Sequence, residues 1–167
     1  MEEMILHLEE IDFDPELEPG KCTIGGVIYF TIGDTYFPEA QWYDLISRDF
    51  SVWIPHLLSF AEGHTDSCEF AFMDGPYRIL LKRLPSERVL AVGTRHRNAP
   101  VFEAEIDFSG FLASAAKCVR RLAKRIHEKD SQKKYPSEIS RLGALSNRLE
   151  TLAKAVPSCH DFITHNT

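Results

Sequence analysis

Apolar positions along this chain recur every second residue in some stretches and every third or fourth in others, and the change of period marks out the expected elements. Residues 5–13 mix alternating and continuous apolar character before the acidic, turn-rich run DPELEPG, which predicts an early strand and a loop. Over 24–32, Ile24, Ile28, Phe30 and Ile32 share one face while Gly25, Tyr29 and Thr31 occupy the other, the mark of a second strand. After Pro38 the period lengthens. Trp42, Leu45, Ile46, Trp53, Leu57 and Phe60 fall on one helical stripe with Phe50 at its edge, Pro38 suits the first turn, and Gly63 supplies a stop. Pro55 lies within that stripe, where its ring would clash with the Ser51 carbonyl and delete a hydrogen bond. A kink, or two short helices meeting at 52–55, is the expectation.

The stretch CEFAFMDGPYRILLKR, residues 68–83, reads as a hairpin. Cys68, Phe70 and Phe72 share one strand face, as do Tyr77, Ile79 and Leu81, with Arg78 and Lys82 opposite. A two-residue loop at Asp74-Gly75 and a four-residue loop at 73–76 both pair Phe72 with Tyr77, Phe70 with Ile79 and Cys68 with Leu81. Pro76 has no N–H with which to close a tight turn, so the tip should be loose. A strand at 88–94 carries Leu90 and Val92 on one face. Another at 101–108 alternates Phe102, Ala104, Ile106 and Phe108 inward with Glu103, Glu105 and Asp107 outward, completing an antiparallel meander.

That meander needs a cover, and a helix over 109–129 offers one through Leu112, Ala115, Val119, Leu122 and Ile126, capped by Ser109 or Asp107. A last helix opens at Ser137 and repeats Leu142, Leu145, Leu149, Leu152 and Val156 at steps of three and four. Its seam requires either the domain's own surface or a second copy, which makes a homodimer through Leu142, Leu145, Leu149 and Leu152 one possibility. The pattern as a whole predicts an α+β fold: an antiparallel sheet of about five to six strands in the order β-β-α-β-β-β-β-α-α, with helices mainly on one face. The expected divisions are an α+β core at 1–129, a polar linker at 130–136, a C-terminal amphipathic helix at 137–156 and a flexible tail at 157–167.

Composition narrows the class. The 167 residues are 44% hydrophobic and 11% aromatic, suited to one packed domain, and no apolar run reaches the length of a membrane span. The opening MEEMILHLEE has neither a basic n-region nor an apolar h-region, which makes a cytoplasmic location the default expectation. Cys22, Cys68, Cys118 and Cys159 are scattered without a CxxC pair and read as reduced thiols. The net charge is -6 and is unevenly spread. Glu9, Glu10, Asp12, Asp14, Glu16 and Glu18 lie in an N-terminal stretch without Lys or Arg, while Lys117, Arg120, Arg121, Lys124 and Arg125 form a stripe on the 109–129 helix.

Catalytic signatures are absent: there is no GxSxG, phosphate-binding glycine loop or HExxH. Cys159, His160, Asp161 and His165 offer metal-donor types within a short span, yet the segment follows the last helix and looks unstructured, so neither a metal nor another cofactor is expected. The basic stripe could track phosphates, but it lacks interleaved aromatics for stacking bases. Nucleic-acid binding therefore remains an alternative, as does an enzyme site assembled from distant residues such as His56, His96 and Asp74. The dense acidic segment points instead to a cationic protein partner, because such charge attracts and speeds association.

The helix stretch QWYDLISRDFSVWIPHLLSFAEG followed by CEFAFMDGPYRILLKR resembles small uncharacterised bacterial proteins, some of them proposed as immunity proteins of polymorphic-toxin or contact-dependent-inhibition systems. The likeness covers residues 37–83 and rests on Trp42, Trp53, Phe72, Asp74, Gly75, Pro76 and Tyr77. It supplies no catalytic residue. Immunity proteins of this kind bind a cognate toxin, often through an acidic surface that occludes a basic active site. The resemblance thus implies a non-catalytic partner-binding role, with Glu9, Glu10, Asp12, Asp14, Glu16 and Glu18 facing a basic toxin domain.

Overall fold

The computed structural model describes residues 1–14, 23–96 and 100–156. β1 (Met4–Asp12) runs antiparallel to β2 (Gly25–Ile32), with Leu6 opposite Phe30 and Leu8 opposite Ile28. Two short strands, β3 (Thr35–Phe37) and β4 (Tyr43–Asp44), share the other edge of β2. After α1 (Ile46–Ala61) come β5 (Ser67–Ala71), β6 (Tyr77–Arg83), β7 (Val89–Arg95) and β8 (Pro100–Ile106), an antiparallel meander, and then α2 (Phe108–Lys129) and α3 (Pro136–Ala155).

The fold is α+β and antiparallel, as the sequence pattern implies. The described strands fall into two four-stranded sheets, however, rather than one sheet of five or six. β3 and β4 are too short to show a period, which is why the pattern passes over them. Glu2 links the sheets: its N–H donates to the Glu105 carbonyl at 2.7 Å, and the Asp107 N–H donates to the Glu2 carbonyl at 2.9 Å. Their inner faces meet through rings. Phe30 stacks on Phe70 with centroids 5.7 Å apart and also meets Trp53, Phe72 and Phe111, while Phe37 reaches Tyr77 and Phe102. One core therefore serves both sheets, α1 and α2.

α1 starts at Ile46, so Trp42 and Leu45 precede the helix whose stripe they seemed to join. The reason is the unfilled edge of β2, whose backbone groups need partners. The Ile28 N–H donates to the Trp42 carbonyl at 2.7 Å, drawing residues 43–44 into the sheet. Pro38 follows β3 across a cis peptide bond and opens no helix. Pro55 does not divide α1, which runs unbroken over 16 residues. Ser51 and Pro55 are exposed, so the carbonyl left without its N–H partner is on the watered side, while buried Trp53, Ile54, Leu57 and Leu58 hold both halves to the core.

The 68–83 hairpin keeps the expected register, with Phe70 opposite Ile79 and Cys68 opposite Leu81. The Phe72 N–H donates to the Tyr77 carbonyl at 3.1 Å, leaving 73–76 as a four-residue tip with Gly75 at φ +102°. All five apolar positions expected to face inward on the 109–129 helix are buried in α2. Asp107 is its N-cap residue but makes no side-chain cap bond.

α3 is capped at Tyr135 and not at Ser137, because Pro136 takes the first helical turn. The preceding polar run is a structured turn. The Asp130 carboxylate accepts the N–H groups of Lys134 and Tyr135, each at 2.8 Å, and Tyr135 packs edge-on against Phe13. The leucine seam meets its own chain: Leu142 and Leu149 are buried, Leu145 and Leu152 half-buried, and Ser146 Oγ donates to the Ala116 carbonyl of α2 at 3.0 Å. Residues 157–167, with Cys159, His160 and His165, lie outside the described residues.

Candidate binding face

Strand alternation turns Ile5, His7 and Glu9 of β1 and Val27, Tyr29 and Thr31 of β2 away from the shared core. Polar and aromatic groups on this outer face are tied into one network. His7 stacks on Tyr29 with ring centroids 4.6 Å apart, and its Nε2 is 2.9 Å from Thr31 Oγ1. Tyr29 donates its hydroxyl proton to Glu9 Oε1 at 3.0 Å, and Gln41 Nε2 donates to Glu9 Oε2 at 3.0 Å. Farther along, Tyr43 donates its hydroxyl proton to Asp12 Oδ2 at 3.2 Å. Tyr36 and Tyr43 project from the face, 53% and 49% exposed.

These contacts set the protonation states. The bonds from Gln41 and Tyr29 hold the Glu9 carboxyl below the ordinary range, with smaller help from His7 and Arg121. Burial lowers the His7 pKa while Glu9 pulls it the other way. Burial, reinforced by the carboxylate each one faces, raises the phenols of Tyr29 and Tyr43. At neutral pH Glu9 is thus a carboxylate held by neutral donors, beside an aromatic stack.

Residues 41–44 join this face to the hairpin tip by the same alternation. Gln41 and Tyr43 reach outward to Glu9 and Asp12, whereas Trp42 and Asp44 turn inward. Trp42 packs against Tyr77 with centroids 5.0 Å apart, and its Nε1 donates to Asp44 Oδ2 at 3.4 Å. Asp44, 1% exposed, accepts N–H groups from Leu45 at 2.7 Å, from Met73 at 3.0 Å and from Asp74 at 3.1 Å. The loose tip anticipated from Pro76 is thereby pinned from outside its own hairpin.

Among the acidic positions singled out in the sequence, Glu9 and Asp12 are built into the network. Glu10 is exposed at the β-bulge of β1 with φ +43°, and Asp14 is exposed just beyond the strand. Glu16 and Glu18 lie outside the described residues. The basic stripe comes alongside rather than apart from the acids. α2 packs on β1, and Lys117 and Arg121 line a groove of about 410 Å³ with Glu3, His7 and Glu9. Arg121 also lines a second groove with Lys124, Arg125, Glu10 and Glu128. Arg120 pairs with Glu150 at 2.5 Å and Lys124 with Glu128 at 3.7 Å.

His56 sits on the exposed side of α1, His96 in the turn after β7 and Asp74 on the hairpin tip. Among the described residues no hydrogen bond or ion pair joins these three side chains. Nor do the described residues contain a group of three or more His, Cys, Asp or Glu arranged to hold a metal ion. Sequence reasoning passed over His7, Tyr29, Tyr36, Gln41 and Tyr43. The one signal for His7, Tyr29, Tyr36 and Tyr43 is that polar aromatics occupy outward strand positions, while Gln41 lies in the turn before β4 and carries none. Comparison of the chain with protein-family models, with curated proteins and with solved structures found no match.

Proposed function

We propose that this chain is a non-catalytic protein-binding protein, of the immunity type, that covers a basic surface on its partner with the outer face of the β1–β4 sheet. One observation carries the reading: Glu9 and Asp12 are held by the neutral donors Tyr29, Gln41 and Tyr43 rather than by cations. A carboxylate fixed by neutral donors is oriented without its charge being cancelled, so it arrives preorganised for an incoming Lys or Arg. Tyr36 and Tyr43 supply the rigid amphipathic area that protein interfaces favour. A basic toxin domain has the complementary charge.

Affinity capture with three baits tests this. The wild-type chain should retain a basic protein. The triple variant Glu9→Gln/Asp12→Asn/Tyr43→Phe should bind that protein more weakly by roughly tenfold or more, through slower, less salt-sensitive association. A Glu69→Gln/Glu103→Gln variant, altered on the other sheet, should bind as wild type. Failure to retain any protein, or equal binding by all three baits, would overturn the reading.

A further inference from the structure

Beneath the binding face lies a feature that the proposed role leaves unused. Asp49, in α1, is 1% exposed, and neither carboxyl oxygen has a hydrogen-bond partner. A buried polar group without a partner is costly, and a buried lone charge costs more, so such groups call for an explanation. The neighbour acting on it is Asp44, whose carboxylate clamps the backbone of Met73 and Asp74 and the indole of Trp42.

We propose that Asp44 and Asp49 form a proton-operated latch: while Asp49 is protonated the 73–76 tip stays clamped on Asp44, and loss of that proton releases the tip together with Trp42. Two carboxylates in one dry site cannot both ionise without strong repulsion, and parting them is the relief open to the structure. Asp44 accepts four N–H donors, whereas Asp49 makes no hydrogen bond of its own and only lies near the Met73 N–H that Asp44 already binds. Burial, with Asp44 second, pushes the Asp49 pKa up to about 8. The hairpin side presents only the Met73 N–H, a smaller pull in the other direction. No cation from α1, β2, β5, β6 or α3 among the described residues acts on it.

The tip is the part able to move. Met73, Asp74 and Gly75 are exposed, whereas Phe72 and Ile79 on either side are buried in the core. Opening also reaches the outer face, since Trp42 and Asp44 alternate with Gln41 and Tyr43. The latch nevertheless stands or falls apart from the binding role, because its test needs no partner.

The sign follows from linkage. In the open state Asp49 meets water and regains an ordinary carboxylate pKa, so opening releases a proton wherever the closed state keeps it. The opening constant should rise roughly tenfold per pH unit from about pH 5 to about pH 8 and then level off. Amide exchange in the full chain reads this out. After correction for intrinsic exchange, protection at Met73 and Asp74 should fall with that slope, while the Ile79 amide in β6 stays better protected throughout. In Asp49→Asn both tip amides should lose the slope. Carboxyl NMR on the wild-type chain supplies a second readout that needs no variant: Asp49 should titrate near 8, with the Trp42 indole shift moving alongside. Protection independent of pH in wild type, an unchanged slope in Asp49→Asn, or an Asp49 titration in the ordinary carboxylate range would each overturn the latch.

Discussion

The outer faces of the two sheets satisfy their charges in opposite ways. On the meander, acids meet cations across strands: Glu69 pairs with Arg78 at 2.8 Å and Glu105 with Arg88 at 2.9 Å, around half-buried Leu80, Leu90 and Val92. Those charges cancel locally, and as exposed pairs they add little to stability. On the β1–β4 sheet, Glu9 and Asp12 are bound by phenols and an amide and keep their charge. Glu69 and Glu105 are thus neutralised within the chain, whereas Glu9 and Asp12 accept no bond from a cation among the described residues. Counting acids would not separate them, because Glu103 and Glu105 are as acidic in sequence as Glu9 and Asp12.

Each sheet also lays one aromatic ring over a glycine, which allows a matched test. A Cβ on Gly93 would collide with the Phe102 ring, and one on Gly25 with the Tyr43 hydroxyl. Phe102 is half-buried and packs edge-on against Phe37 with ring centroids 5.3 Å apart, joining the sheets, so it cannot yield without loosening their junction. Gly93→Ala should therefore cost about 2 kcal/mol in chemical denaturation and leave partner binding unchanged. Tyr43 is exposed and free to swing into water. Gly25→Ala should cost at most about 1 kcal/mol, because the lost contact is partly offset by a stiffer unfolded chain. It should still weaken partner binding, since Tyr43 no longer orients Asp12. Equal stability losses would mean that Tyr43 is as structural as Phe102, and the contrast between inner and outer rings would fail.

The hairpin register was legible because period-two alternation on both strands fixes it whatever the loop does, and Cys68, Phe70, Ile79 and Leu81 are buried as that alternation requires. The start of α1 was not legible. Trp42 and Leu45 fit a helical stripe by spacing, and only the unfilled edge of β2, ten or more residues upstream, explains why the helix starts after them. The site was harder still. Asp44 and Asp49 look like surface polar residues until folding brings the tip of a later hairpin over them. Likewise Glu9 and Arg121 become neighbours through the packing of α2 on β1, which no local pattern encodes.

Neutral donors, more than cations, hold the charge on Glu9. The bonds from Gln41 and Tyr29 lower its pKa more than His7 and Arg121 do. A carboxyl whose folded pKa lies below its unfolded one adds stability above the unfolded value and loses it as pH falls through the folded one. Glu9 is near the surface and solvent screens it, so that contribution should amount to only a few tenths of a kcal/mol. The titration itself is the sharper measurement. In a Gln41→Ala/Tyr29→Phe variant, carboxyl NMR should show the Glu9 midpoint moving up toward the ordinary glutamate value, whereas Arg121→Gln should move it less. The reverse order would mean that Glu9 is governed by a cation after all. Its charge would then be spent within the chain, as Glu69 and Glu105 spend theirs, and the β1–β4 face would lose the property that sets it apart.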